Sequence, residues 1–133
     1  MQDLINYAIG RGWGLKYRDL GRRNGQYSQG LITINDRRRT HFTIRMTLAH
    51  EIGHAHHDHP WTDDPETWAS YEREAAVCAA HLLITPDDYA FAERVAGVHP
   101  GAIAKELGVT QNLVELWRAT YCTRDRGHLR TVG

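Results

Sequence analysis

Residues Thr47–His59, TLAHEIGHAHHDH, contain His50-Glu51-Ile52-Gly53-His54, an H-E-x-x-H run. No other stretch restricts the fold as strongly, because its two histidines meet only if the segment is helical. On a helix, positions i and i+4 lie about 40° apart around the axis and one turn apart along it. His50 and His54 then share a face and can hold one metal ion. Glu51 falls on the flank of that face, where a carboxylate reaches a water beside the ion. Apolar Met46, Leu48, Ala49 and Ile52 precede and interleave the run, so the helix is expected to be partly buried. Burying two imidazoles and a carboxylate without a partner is costly. Zinc held by three protein ligands with one open position polarises a carbonyl and lowers the pKa of bound water to about 7. The chemistry indicated is metal-assisted hydrolysis, most often of peptide bonds. A solvated, His-rich helix without metal is the competing reading of the five residues alone, since the chain has nine His.

A third ligand has to come from elsewhere. In the extended H-E-x-x-H-x-x-G-x-x-H pattern a Gly turn brings in another His. His57 occupies the Gly position and Pro60 the final His position, so that pattern fails. His56, His57 and His59 point off the chelating face or fall at the helix end. A carboxylate from the following helix is the second arrangement, with Glu66, Glu72 and Glu74 as candidates. Glu72 lies at the edge of that helix's apolar stripe, and Glu74 points about 200° away from it, so the two cannot both face one ion. Asp58, Asp63 and Asp64 in the connecting loop are the third arrangement, and read better as caps or supporting hydrogen-bond partners.

The rest of the chain fits an α+β domain. With 133 residues, 41% apolar and 24% charged, it has the length and composition of one soluble domain with a modest core. No apolar run reaches the roughly 18 residues of a membrane span, and the N-terminus lacks the basic start and apolar core of a signal peptide. Cys78 and Cys122 form no motif; Cys78 reads as core packing, and a reduced, cytoplasmic protein is the simpler expectation. The net charge is zero, but residues 1–48 carry nine Lys/Arg against three Asp/Glu, residues 49–93 one against ten, and residues 94–133 six against three. The acidic block contains the proposed site, and the basic flanks would suit an acidic partner or nucleic acid, or simply a solvated surface.

Leu4, Ile5, Ala8 and Ile9 predict a short helix over 2–10. Trp13, Leu15 and Tyr17 alternate as a first strand. Asn24-Gly25 is a hairpin signal, and residues 27–35 are rich in strand formers, with a break around Gly30. A small N-terminal antiparallel sheet is therefore expected. Arg37, Arg38 and Arg39 read as a solvated loop. The H-E-x-x-H helix should run from about Thr40 or His41 to Asp58, stopped by Pro60. Asp63, Pro65 and Glu66 predict a helix start, and the next helix should extend to about Ile84. Its Trp68, Tyr71, Ala75, Cys78 and Leu82 form a buried stripe. Helices over about 86–96, 99–107 and 110–121 follow, then a loose basic tail over 123–133.

Residues 30–86 resemble the ImmA/IrrE-type metallopeptidases. The resemblance rests on Ala49–His54 and on Glu72, Glu74, Ala75, Ala79, Ala80, Leu82, Leu83 and Pro86, in the order of that family's A-H-E-x-G-H and E-x-E-A-x-x-F-A-A-x-L-L-x-P motifs. It implies a zincin-like fold in which Glu72 joins His50 and His54 as a Zn²⁺ ligand and Glu51 is the catalytic base. Regulatory cleavage of a repressor-type transcription factor, in a phage, mobile-element or stress setting, is also implied. Cys78 stands where the family has an aromatic, Ala76 where it has Asn or Asp, and Thr85 is one residue extra before Pro86. Of these, Ala76 removes a supporting hydrogen bond.

Residues 103–114 read as helix, tight Gly turn, helix, similar to a DNA-binding helix-turn-helix. Gln111, Asn112, Glu115 and Arg118 would be its exposed face. The same family often ends in such a helical pair as a support for the catalytic part. The expected organisation is a peptidase core over 1–98, a helical pair over 99–122 packed on it, and the tail over 123–133. The alternative to a peptidase is a regulatory module that binds DNA or a protein, with a structural metal or none. Glu51 argues against it, because a structural zinc needs no general base.

Overall fold

The computed structural model describes the backbone of residues 1–132 and the side chains of residues 1–121. Its elements are α1 (Gln2–Gly10), β1 (Gly14–Tyr17), β2 (Gly25–Ser28), β3 (Leu31–Ile34), α2 (His41–His57), α3 (Pro65–Leu83), α4 (Pro86–Ala96), α5 (Pro100–Leu107) and α6 (Gln111–Val132). The chain divides into two compact units, 1–79 and 80 onward, with the division inside α3. The α+β class is as expected, and no helix among the described residues is long and apolar enough to cross a membrane.

In the first unit the strand order is β1-β3-β2. β3 is central, and Ile32, Thr33 and Ile34 along it are buried. β2 and β3 form the antiparallel hairpin, but Gln29 and Gly30, both at positive φ, turn it. β1 pairs with β3 in parallel, Gly14 opposite Leu31. The sheet is therefore mixed where an all-antiparallel one was expected, and Asn24-Gly25 does not close a hairpin. Side chains from beyond β3 explain the difference. The Asn35 amide donates to the Gly21 and Arg23 carbonyls. The Arg39 guanidinium donates to the Gly21 and Arg22 carbonyls and to Asn24 Oδ1. These bonds fasten loop 18–24 as it carries the chain from one side of β3 to the other. Arg39 is thus a structural clamp within a run that reads as solvated charge, while Arg37 makes an exposed ion pair with Asp19 at 3.5 Å.

α2 begins where the Thr40 hydroxyl accepts from the Thr43 N–H. Leu48, Ala49 and Ile52 are fully buried, and α2 packs on β2 and β3. Asp64, the neighbour of the expected Asp63, caps α3 by accepting from the Thr67 N–H and hydroxyl. In the apolar stripe of α3 only Ala75 is fully buried, and Trp68 is 48% exposed.

In the second unit Thr85 and His99 cap α4 and α5, and Thr110 accepts from the Leu113 N–H at the start of α6. Gly108, at φ 70°, makes the tight turn between α5 and α6. The Trp117 ring stacks on Tyr89 and Tyr121 and its N–H donates to the Ile84 carbonyl. α6 extends to Val132, past the expected end near Tyr121. Gly133 and the side chains from Cys122 onward, including the charges of the basic tail, lie outside the described residues.

Candidate metal centre

Gly53 sets the distance between α2 and α3. A Cβ at that position would lie 2.5 Å from the Ala75 carbonyl oxygen and 2.7 Å from its Cα. Only a residue without a side chain admits so close a crossing, and the crossing brings Glu72 onto the histidine face. Glu72 Oε2 stands 3.1 Å from His50 Nε2, and Glu72 Oε1 stands 2.7 Å from His54 Nε2. The imidazoles meet edge to face, centroids 4.9 Å apart. His54 is buried with its ring stacked on Trp68 at 5.6 Å, while the His50 and Glu72 side chains are partly open to solvent. The Trp68 indole, expected in the core, instead forms a wall of this group.

Glu51 is buried beside the three, only 7% exposed. Above it begins β2. A Cβ on Gly25 would meet Thr47 Cγ2 at 2.6 Å and Glu51 Oε2 at 3.1 Å, so this glycine lets the strand lie against the carboxylate. Burial, and secondarily the negative charge of Glu72, pushes the Glu51 pKa up to about 8, against a downward pull from Arg23. Burial, and next the neighbouring His50, lowers that of His54. Two carboxylates crowded together beside two imidazoles make a site that a cation would relieve. The donor set, two imidazole nitrogens and a carboxylate, suits zinc or another divalent transition ion. His50, His54 and Glu72 each offer an atom within 4.8 Å of the others, so the residues fit a metal ion.

Residues 11–116 match the family model for the IrrE N-terminal-like domain, Peptidase_M78. The chain belongs to this peptidase family. No curated protein matches it. The Gly53 crossing and the His–His–Glu group are therefore features of a zincin-like domain of the metallopeptidase class.

This peptidase domain holds a second group that its sequence did not disclose. α2 ends in a Schellman motif: the Asp58 N–H donates to the Ala55 carbonyl and the His59 N–H to the His54 carbonyl. The left-handed residue is Asp58, φ 48°, which also accepts from the Tyr27 hydroxyl at 2.5 Å. The reversal returns His59 to the helix it has just left. His59 Nδ1 lies 2.9 Å from His54 Nδ1, and His59 Nε2 lies 3.0 Å from Glu74 Oε2. His57 Nδ1 is 3.5 Å from the same oxygen. The hydrogen bond with His59 is the main cause that holds the Glu74 carboxyl below its ordinary pKa. His59 is buried and stacks on Tyr71 at 4.2 Å. Asp followed by His-Pro at a helix end was the available signal, since Asp tolerates the left-handed conformation better than most residues.

The other candidates separate from these groups. Asp58 and Asp64 are engaged as described, and Glu66 is exposed on the first turn of α3. In the second unit Arg118, expected on an exposed face, donates to the Tyr89 hydroxyl and the Val98 carbonyl. Gln111, Asn112 and Glu115 are exposed, with Gln111 donating to Glu115.

Proposed function

We propose that the chain is a zinc-dependent metallopeptidase in which His50, His54 and Glu72 hold the ion and Glu51 moves the proton. The observation that carries this reading is the meeting of both Glu72 oxygens with His50 Nε2 and His54 Nε2 at 3.1 and 2.7 Å, beside a buried Glu51. An ion held there would polarise the scissile carbonyl and make water acidic enough to ionise near neutral pH. Glu51 accepts a proton from the attacking water and returns it to the leaving nitrogen, one carboxylate serving both halves of the reaction. Burial strengthens the Glu51 carboxylate as a base, and the positive charge of an ion held beside it would keep it ionised until the water is attacked. Gly25 keeps the space above Glu51 free of a side chain. Trp68 and the buried setting of His54 exclude water from one side of the group, and partly open His50 and Glu72 leave the other side for a substrate.

Membership of this family supports a protein substrate of the repressor type, cut in the cytoplasm as a regulatory event. The test is cleavage of a library of unstructured peptides by the zinc-loaded full chain, read by mass spectrometry, beside Glu51→Gln. The variant should bind zinc equally and cleave about 10²–10⁴-fold more slowly. Equal cleavage by the two proteins, or zinc binding without cleavage by the wild type, would remove the peptidase reading.

A further inference from the structure

His57, His59 and Glu74 repeat the composition of the first group and offer three ligand atoms within 4.8 Å of one another. By residue type they are a second cation site. Their hydrogens say otherwise. A neutral imidazole carries one N–H and one lone pair. If His54 is to hold an ion through Nε2, the atom facing Glu72, its hydrogen lies on Nδ1. That hydrogen points at His59 Nδ1, 2.9 Å away, which must accept it. The hydrogen of His59 is then on Nε2, directed at Glu74 Oε2 at 3.0 Å. For His59 to hold a second ion through Nε2, its ring would have to lose both hydrogens and become an imidazolate.

We propose that Glu74 and His59 are positioning residues for His54: a carboxylate–imidazole–imidazole chain that fixes its tautomer and aims Nε2 at the ion. This rests on the reading of His50, His54 and Glu72 as the metal-holding group. The surroundings suit the role. The Schellman motif sets where His59 returns, and the rings of Tyr71 and His57 both stack on the His59 ring, at 4.2 and 5.1 Å. Partners one step behind a metal ligand orient it and typically alter metal affinity by about 10–100-fold. The Glu74 side chain is 45% exposed, and screening by solvent places it at the lower end of that range.

Zinc affinity and stoichiometry would be measured on the full chain by competition with a chromophoric chelator, for wild type, Glu74→Ala and Glu74→Gln. The tautomers of the zinc-loaded wild type would be read from ¹⁵N spectra of the imidazoles. Glu74 is the residue to change because it is exposed, whereas His59 is buried and its loss would disturb the fold. One zinc per chain is expected, with the hydrogen on Nδ1 of His54 and on Nε2 of His59. Glu74→Ala should weaken zinc binding about tenfold. Glu74→Gln, whose amide oxygen still accepts from His59 Nε2–H, should recover most of it, a rescue that simple loss of packing would not show. Two zinc ions per chain, one of them lost in Glu74→Ala, would overturn the proposal in favour of a second metal site. A hydrogen on His59 Nδ1 would also overturn it. Zinc bound by Glu74→Ala with wild-type affinity would overturn the chain alone and leave the first group standing. A wild type that binds no zinc would remove both.

Discussion

His50, His54 and Glu72 meet across the middle of α2 and α3, whereas His57 and His59 flank the left-handed Asp58 at the end of α2 and meet Glu74 there. In the first group helical spacing alone aligns the two imidazoles, and Glu72 gives each of them a separate oxygen. In the second, a chain reversal delivers His59, and both histidines share one oxygen of Glu74. The ligand atoms of the first group lie close enough together to share one ion. In the second, His59 has no lone pair to spare once His54 holds a metal through Nε2. Two clusters of the same three residue types thus support different roles, and the direction of the hydrogens separates them better than the identity of the donors.

The largest effect should come from breaking the symmetry of composition directly. Glu72→Ala should lower zinc affinity by well over the about 100-fold that bounds supporting partners, while Glu74→Ala stays near tenfold. Chelator competition on the two variants checks this, and similar losses in both would erase the distinction between the clusters.

Glu51 sharpens the comparison through pH, because burial and, second, the charge of Glu72 raise its pKa, and Glu74 has no part in the shift. In the zinc-free protein its folded pKa of about 8 lies above the ordinary 4.5. Below pH 4.5 both folded and unfolded states carry the proton, and this group costs nothing. Between about 4.5 and 8 the unfolded state releases it first, so folded stability falls as pH rises, then levels off. Glu51→Gln removes that dependence, so its stability advantage over wild type should grow with pH across this window, by on the order of a few kcal/mol. Thermal melts without zinc from pH 4.5 to 8.5 measure it; parallel curves for the two proteins would contradict the raised pKa of the buried carboxyl.

Gly53→Ala acts on what both clusters share, the close crossing of α2 and α3. Forcing a methyl against the Ala75 backbone should cost about 1–3 kcal/mol and weaken zinc binding as Glu72 is pushed away. Denaturant unfolding and the same chelator assay report the two effects. An alanine variant with unchanged zinc affinity would show that the crossing does not set the site.

Much of this was legible in the residues. The bounds of α1, α4 and α5 and the H-E-x-x-H helix follow from local patterns: apolar spacing, Thr and Asp caps, Pro at first turns and the Gly108 turn. Local spacing left the third carboxylate open among Glu66, Glu72 and Glu74, and only the resemblance to a known family singled out Glu72. What stayed hidden depends on long-range side-chain contacts. The parallel pairing of β1 rests on Asn35 and Arg39 holding a loop more than ten residues away in sequence. The return of His59 hangs on the backbone handedness of one non-glycine residue, Asp58. Gly25 read as half of a turn, and only the packing of β2 on α2 reveals that it makes room for Glu51. Arg118 sat at a surface spacing, yet its hydrogen bonds to Tyr89 and Val98 lie at the other end of the second unit's sequence.

The most direct measurement is a crystal structure of the zinc-loaded full chain with diffraction recorded on both sides of the zinc absorption edge. A single anomalous peak is expected between His50 Nε2, His54 Nε2 and the Glu72 carboxylate. A peak among His57, His59 and Glu74, or none beside Glu72, would contradict the assignment of the metal to the first cluster.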